Sequence, residues 1–431
     1  LKAQAESSVV NPSKEFGERA ASSRLKANPR RKCQMKKWLS LAATVVLSLA
    51  LFIGVACGGD EEEEGVTELK MGIGVPLSGL YGAVVGVPAK HAYSMAVEDI
   101  GVFTVGGEQY RWKLIIEDNM ATTAGGIASA TKLIFEDNVD FMIQAAASSA
   151  LAAQPLCEEK GIILTASGLN PVHLTPDRPQ LFQTSGAWAV NVTPFFDWLS
   201  KEHPEVKRIA SAVPDDDNGY ALVDAFDACA DYYGLEVVAA ELVPLSTTEY
   251  YPVATRITAR DPDLVFSAGA GFAALMWEMG YEGLSATWWW LPGYADQVGW
   301  EKCQGFLICM PHQFGGLWPE AEALVAEFEE RYDVECSAAV FWGLNAMYVW
   351  TDVLRQAGTV DEVDKIIETM ETGTFDTLVG PLSFGGEVLN GYGHAAIWPS
   401  PIYEVVGEQE YRVIDVYTIE ETEAILAEVY K

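Results

Sequence analysis

From residue 68 onward, short apolar runs alternate with amphipathic stretches, and that alternation limits the chain to one class of architecture. Runs at 69–75, 114–117, 139–144, 162–165, 208–213, 236–242, 264–267, 287–291 and 306–310 have the length and β-branched content of buried strands. Stretches at 89–100, 124–137, 148–159, 219–233 and 272–280 space their apolar residues as helices do. Strand and helix in strict turn predict an α/β fold with parallel sheets covered on both faces. Nine strands over roughly 375 residues exceed one hydrophobic core, so two doubly wound lobes are expected. After 310 the rhythm changes. Segments 319–332, 338–356 and 360–372 read as three successive helices, the middle one apolar on nearly all sides and therefore buried. Two β-type runs follow, 395–406 and 411–417.

The N-terminal part is of another kind. Met35-Lys36-Lys37 precedes an apolar run at 38–55 and then Ala56-Cys57-Gly58-Gly59. A basic start, an apolar core and a small-residue end make a secretory signal at 35–56. Residues 1–34 are an unassigned lead. The cysteine after the small residue resembles a bacterial lipobox, which implies cleavage before Cys57 and a lipid on its thiol. Gly54 stands where Leu is commoner in such boxes. The apolar run also approaches the ~20 residues of a membrane span, so an uncleaved anchor is the alternative. Either arrangement puts the remaining chain outside the cytoplasmic membrane. Residues 57–67 form an acidic, self-repelling linker between anchor and folded body.

Charge excludes several classes of partner. With the 10 basic and 3 acidic residues of 1–56 set aside, the rest carries 18 Lys+Arg against 58 Asp+Glu, a net −40. Such a surface repels phosphate backbones and anionic bilayers, so no nucleic acid is expected. Beyond 57 the cysteines are Cys157, Cys229, Cys303, Cys309 and Cys336, an odd set without a C-x-x-C. Cys303 and Cys309 are close enough in sequence to pair, but buried free thiols are expected for at least three of the five. The sequence has no G-x-S-x-G, P-loop, G-x-G-x-x-G or H-E-x-x-H. His91, His173, His203, His312 and His394 are scattered without metal-ligand spacing. No catalytic residue, cofactor or metal is expected.

Several local motifs follow the same order as in a known family. They are Gly72-Ile-Gly-Val-Pro-Leu-Ser-Gly79 with Tyr81-Gly82, the helix at 92–100, Glu117-Asp118-Asn119, Ala147-Ser148-Ser149-Ala150, Ser167-Gly168-Leu169-Asn170-Pro171 and Val379-Gly-Pro-Leu-Ser-Phe384. In this order and spacing the chain resembles the periplasmic branched-chain amino-acid binding proteins of ABC importers, a type I solute-binding fold. The resemblance covers nearly all of 69–417. It implies two lobes joined by a three-strand hinge, 68–186 plus 313–385 and 187–312 plus 386–431, with ligand in the cleft.

Candidate binding residues sit in the strand-to-helix turns. Amides at a helix start are unpaired and partly positive, so Ala147, Ser148 and Ser149 can receive a carboxylate. Serine is also a favoured N-cap, and capping alone is the plainer reading. The resemblance puts Tyr81 against the ligand side chain and Ser167, Gly168 and Leu169 against its main-chain groups, with Leu169 where amino-acid binders have Thr. In the second lobe, Asn218 and Tyr220 are better contacts than the acidic run before them, and Ala270 lies in another such turn. Tyr294 stands near where the amino-acid binders place a Glu for the ligand's ammonium, with Asp296 two residues on. Trp288, Trp289 and Trp290 alternate in direction and cannot all line one pocket, so core packing is expected for at least two and one could wall the cleft. The expected function is capture of a small carboxylate-bearing ligand, an amino acid or a related aromatic acid, for import through an ABC permease by a lipid-anchored monomer. A sensor on the same fold and, further off, an extracellular enzyme are the alternatives.

Overall fold

The computed structural model describes residues 65–431 apart from 80, 186–187, 245–246, 268–269, 291 and 311–313, and without the side chains of Val84, Ala270, Tyr294 and Ala338. The signal segment, Cys57 and most of the acidic linker therefore lie outside the described residues, as does His312.

In chain order the elements are β1 (Val66–Val75), α1 (Val87–Ile100), β2 (Val102–Val105), β3 (Glu108–Asp118), α2 (Thr123–Phe135), β4 (Phe141–Ala145), α3 (Ala147–Lys160), β5 (Leu164–Ser167) and β6 (Leu181–Gln183). Next come α4 (Trp188–Glu202), β7 (Arg208–Pro214), α5 (Asp217–Tyr233), β8 (Glu236–Val243), α6 (Tyr251–Thr258), β9 (Leu264–Ser267), α7 (Ala270–Glu278), β10 (Leu284–Thr287), α8 (Pro292–Val298) and β11 (Leu307–Cys309). The chain ends with α9 (Pro319–Tyr332), α10 (Ala338–Ala357), α11 (Val363–Thr372), β12 (Thr374–Thr377), β13 (Gly380–Gly385), α12 (Glu387–Asn390), β14 (Ala395–Ile397), β15 (Ser400–Gly407), β16 (Glu410–Tyr417) and α13 (Ile419–Val429).

These strands make two sheets, ordered β12-β13-β14-β6-β5-β4-β1-β3-β2 and β16-β15-β11-β10-β9-β7-β8. The inner strands are parallel, as apolar runs without alternation require. Antiparallel strands are added at the edges: β2 returns through Gly106-Gly107 onto β3, and β12–β13 and β15–β16 close the other ends. The first sheet with α1–α3 and α9–α12 is one lobe; the second with α4–α8 and α13 is the other.

The chain crosses between them three times, from β6 to α4, from β11 to α9 and from β14 to β15. The third crossing is a correction to the sequence boundary at 385/386. Residues 395–397 still pair within the first sheet, so the chain changes lobes at Trp398-Pro399. What reads as one run at 395–406 is two strands, split where Pro399 has no N–H to offer a ladder. The run at 287–291 is likewise corrected: β10 stops at Thr287, whose hydroxyl oxygen accepts Trp289 N–H at 2.9 Å and turns the tryptophans out of the sheet.

The core explains the apolar middle helix. Trp350 on α10 is 1% exposed and its indole donates to Thr165 Oγ1 on β5 at 3.1 Å. Cys157, Cys229, Cys303, Cys309 and Cys336 are all buried free thiols, so Cys303 and Cys309 do not pair. Among the described residues no helix is long and apolar enough to cross a membrane.

Candidate functional site between the strand ends

Strand order marks the site. In the first sheet the winding reverses between β1 and β4, and in the second between β7 and β9. Open α/β sheets hold their ligands outside the carboxyl ends of strands at such a reversal, where the outgoing loops separate and leave a crevice. At the first reversal, β1 leads into Tyr81 and a single π-turn, Gly82–Gly86, in which Val85 N–H and Gly86 N–H both donate to Tyr81 O at 2.9 and 3.1 Å. Single π-turns are frequent at binding sites. Beside it, β4 is followed by Ala146, whose φ of 74° is unusual for a residue with a Cβ. That twist starts α3 abruptly. Among the described residues no side chain caps α3, so the amides of Ala147, Ser148 and Ser149, which have no helical acceptors, give the strand end a positive pole.

The two serines are turned the other way. Ser148 Oγ donates to Ala121 O and Ser149 Oγ to Thr122 O, both at 3.1 Å, so the hydroxyl protons hold the β3–α2 loop. Any anion at α3 meets backbone amides first. The same loop is fixed by Asn119, fully buried, whose Nδ2 donates to Gly74 O, Gln144 Oε1 and Ala145 O at 2.8–2.9 Å. One amide thus ties the ends of β1, β3 and β4 together, and Asn119 Oδ1 accepts Ala121 N–H at 3.0 Å. Asp118 accepts Leu77 N–H and Met120 N–H at 2.9 Å. Burial would raise its carboxyl, but hydrogen bonds from Ser78, Met120 and Leu77 hold it below the usual range.

Facing this rim, the β7–α5 turn reaches across to the first lobe. Asp217 Oδ2 accepts Asn170 N–H at 2.9 Å, and Asp217 Oδ1 meets His173 Nε2 at 3.2 Å. Asn218 Oδ1 accepts the Trp188 indole N–H at 3.1 Å and lies against Gly168, where an added Cβ would be 3.3 Å away. Asp216 faces Tyr81: burial first, then that carboxylate, pushes the phenol up to about 12, which keeps it a protonated donor. At the far side, Gly293 N–H donates to Glu335 Oε1 at 2.6 Å, joining α8 to the segment before α10. Burial, and then Glu329 and Asp296, raise the Glu335 carboxyl against the opposing pull of that amide. Four indoles line the seam. Trp188 packs edge-on to Trp288 at 6.5 Å and lies 6.0 Å from Trp342, which also meets Trp289 at 6.0 Å.

Tyr81, Ala147, Ser148, Ser149, Ser167, Gly168 and Asn218 all lie at or just beyond strand ends of the two sheets. Ala270 begins α7 and Tyr294 lies on α8, but their side chains are outside the described set. Tyr220 is 46% exposed, and its hydroxyl donates to Asp215 at 2.8 Å in its own turn. Asp296 is exposed and accepts the Trp300 indole at 2.6 Å. Leu169 departs from its expected place: after the left-handed Gly168 the chain turns inward and Leu169 is buried in the core at 1% exposure. Of the three consecutive tryptophans, Trp288 stacks on Phe266 and Trp290 donates to Tyr411, while half-buried Trp289 faces the other lobe. Sequence reasoning passed over Trp188, Asn170, Glu335 and Trp342, which meet their partners only through tertiary folding. Two surface hollows of about 400 and 420 Å³ lie elsewhere, one beside Glu241 and Arg256, the other between Gly380, Pro399 and Thr418 behind the third crossing. The candidate site follows from the two winding reversals, not from hollow size.

The sequence profile of the periplasmic binding proteins matches residues 68–409. The chain belongs to the periplasmic binding protein family. Within it the chain is a type I binding protein of the branched-chain amino-acid-binding type. Solved structures of such binding proteins share its fold. A leucine-binding protein from Thermotoga maritima MSB8 is 19% identical over 81% of this chain and 99% of its own, with a TM-score of 0.65. A solute-binding protein of an ABC transporter from R. palustris, in complex with benzoate, is 18% identical over 81% and 96%, with a TM-score of 0.66. Another, from Rhodopseudomonas palustris BisB5 with 3,4-dihydroxybenzoic acid, is 20% identical over 82% and 98%, with a TM-score of 0.67. At these identities the likeness is one of fold. No curated protein matches this periplasmic binding protein in sequence.

Proposed function

We propose that this protein captures a small aromatic carboxylate between its lobes and presents it, in the closed form, to an ABC permease. The observation that carries the reading is the meeting of two winding reversals at one seam, with an uncapped helix start on one side and indoles from both lobes around it. Backbone amides at α3 suit a carboxylate without a cationic side chain. The indoles and Tyr81 suit a flat apolar body. The acidic side chains on the rim are engaged by the protein itself, so the reading rests on the amides and the aromatic rings rather than on them. Asp118, Asp215, Asp216, Asp217, Asp296 and Glu335 each already accept a protein hydrogen bond. An aromatic acid is therefore favoured over an amino acid, in keeping with the benzoates held by fold neighbours. The family implies a place outside the cytoplasmic membrane, and we propose that Cys57 anchors the chain there through lipid. Binding would shift the lobes toward the closed state, which acts as the signal for transport.

A thermal-shift series on the full chain tests this with benzoate, 4-hydroxybenzoate, 3,4-dihydroxybenzoate and L-leucine. At 100 times its Kd, a true ligand adds about 2.7 kcal/mol of stability. The expected result is a shift with an aromatic acid and none with leucine. A shift with leucine alone overturns the aromatic assignment, and none with any of the four overturns acid capture.

A further inference from the structure

Among the described residues, one buried indole N–H is left over. Six tryptophans give their indole N–H to a protein acceptor: Trp112 to Thr351, Trp188 to Asn218, Trp290 to Tyr411, Trp300 to Asp296, Trp350 to Thr165 and Trp398 to Asn191. Trp342 does not. Its Nε1 is buried and has no hydrogen-bond partner among the described residues. Buried polar atoms are nearly always paired, so an orphaned donor at a ligand crevice calls for an acceptor from the ligand.

The position of Trp342 says which part of a ligand it would meet. It lies in the first turns of α10, which packs along α1 and touches the π-turn after β1. The winding reversal puts α1 on one face of the first sheet and α3, with α2, on the other. The α3 amides and the Trp342 N–H therefore reach the crevice from opposite faces of that sheet. Trp188 and Trp289 flank the indole, each with its ring centre 6.0 Å away, and hold it at the line where the lobes meet.

We propose that Trp342 is a specificity-determining residue: its indole N–H donates to an oxygen on the ligand distinct from the carboxylate at α3. The ligand is then an aromatic acid with a second, oxygen-bearing position on its ring. The inference rests on the aromatic-acid reading above. A site built to hydrogen-bond a substituent rejects the analogue that lacks it, because the donor is left buried and unpaired.

The test compares dissociation constants for benzoate, 4-hydroxybenzoate and 3,4-dihydroxybenzoate, by calorimetry, in the wild-type full chain and in Trp342→Phe. Wild type is expected to prefer a hydroxylated acid to benzoate by about tenfold or more, and the variant to lose that preference, so that its affinities for the three acids converge. Replacement of Trp342 by 3-benzothienylalanine keeps the bicyclic shape and removes only the N–H, and should reproduce the effect even where phenylalanine perturbs packing. Equal losses for all three acids in both variants mean that the ring only packs, and overturn the proposal. So does a wild-type protein that binds benzoate as tightly as the hydroxylated acids, although capture of aromatic acids then stands. Wild type that binds none of the three overturns both readings together.

Discussion

Gly219→Ala is expected to destabilise the protein by about 3 kcal/mol and to lower its Tm by several degrees. An added Cβ at this position would lie 1.7 Å from Pro214 O, inside any real contact distance and against backbone that cannot swing aside. Gly219 sits in the first turn of α5, where its N–H is capped by Asp216 Oδ1 at 3.0 Å. A methyl group there must push α5 off the end of β7, and with it Asp216, Asp217 and Asn218, which face the other lobe. Loss of stability should therefore come with loss of ligand affinity. Urea denaturation with a parallel binding titration checks both. A denaturation midpoint equal to wild type would show that α5 has room at β7 and would remove the close-approach argument.

The second large effect concerns closure. Asp217→Ala removes the one side chain that both Asn170 N–H and His173 reach across the seam. Hydrogen bonds to a charged group contribute about 1.5–3 kcal/mol each, so the closed population should fall about tenfold or more. Apparent affinity falls with the closed fraction. Small-angle scattering of the unliganded variant should show a larger radius of gyration than wild type, and Asp217→Asn, which keeps the acceptor oxygen, should lie between them. Equal compactness and equal affinity in Asp217→Ala would rule out a closing role. The pH dependence has a defined sign. Burial alone would raise the Asp217 carboxyl, but hydrogen bonds from His173 and Asn170, with the attraction of His173, hold it below its ordinary value. A depressed carboxyl contributes its stabilisation above the ordinary value of about 3.9 and gives it up as pH falls through the lowered one. The Asp217 contact is thus fully formed at neutral pH and yields only in acid.

Much of the fold is legible in sequence because buried parallel strands leave an unmistakable local trace. Apolar runs such as 208–213 and 264–267 coincide with β7 and β9 to within a residue, and 319–332 coincides with α9. Errors occur where one local pattern serves two surroundings. Three tryptophans resemble a strand, yet follow one. Residues 395–406 resemble one strand, yet Pro399 divides them between sheets. The three residues of β6 are too few to register at all, so the reading passes over both β6 and the 15-residue α4 that follows it.

The site is legible in outline for the same reason. Strand-to-helix turns are local, so Tyr81, Ala147 and Asn218 stand out from sequence. Their partners do not. Trp188 and Asn218 are 30 residues apart and His173 and Asp217 are 44 apart, and such meetings depend on how elements distant in sequence pack together. Hydroxyl direction is equally invisible in sequence: Ser148 and Ser149 are where a ligand-binding pair would be, with their protons committed to the neighbouring loop.

The five buried thiols have a practical consequence. A thiol reacts as its thiolate, and burial pushes Cys157 and Cys229 up to about 12, Cys303 up to about 11 and Cys309 higher still, and raises Cys336 well above its ordinary value. An alkylating reagent finds these sulfurs only when the surrounding structure lets go. Cys157 and Cys336 belong to the first lobe; Cys229, Cys303 and Cys309 belong to the second. The order in which mass spectrometry sees them modified would reveal which half of the molecule gives way first, with no label introduced by mutation.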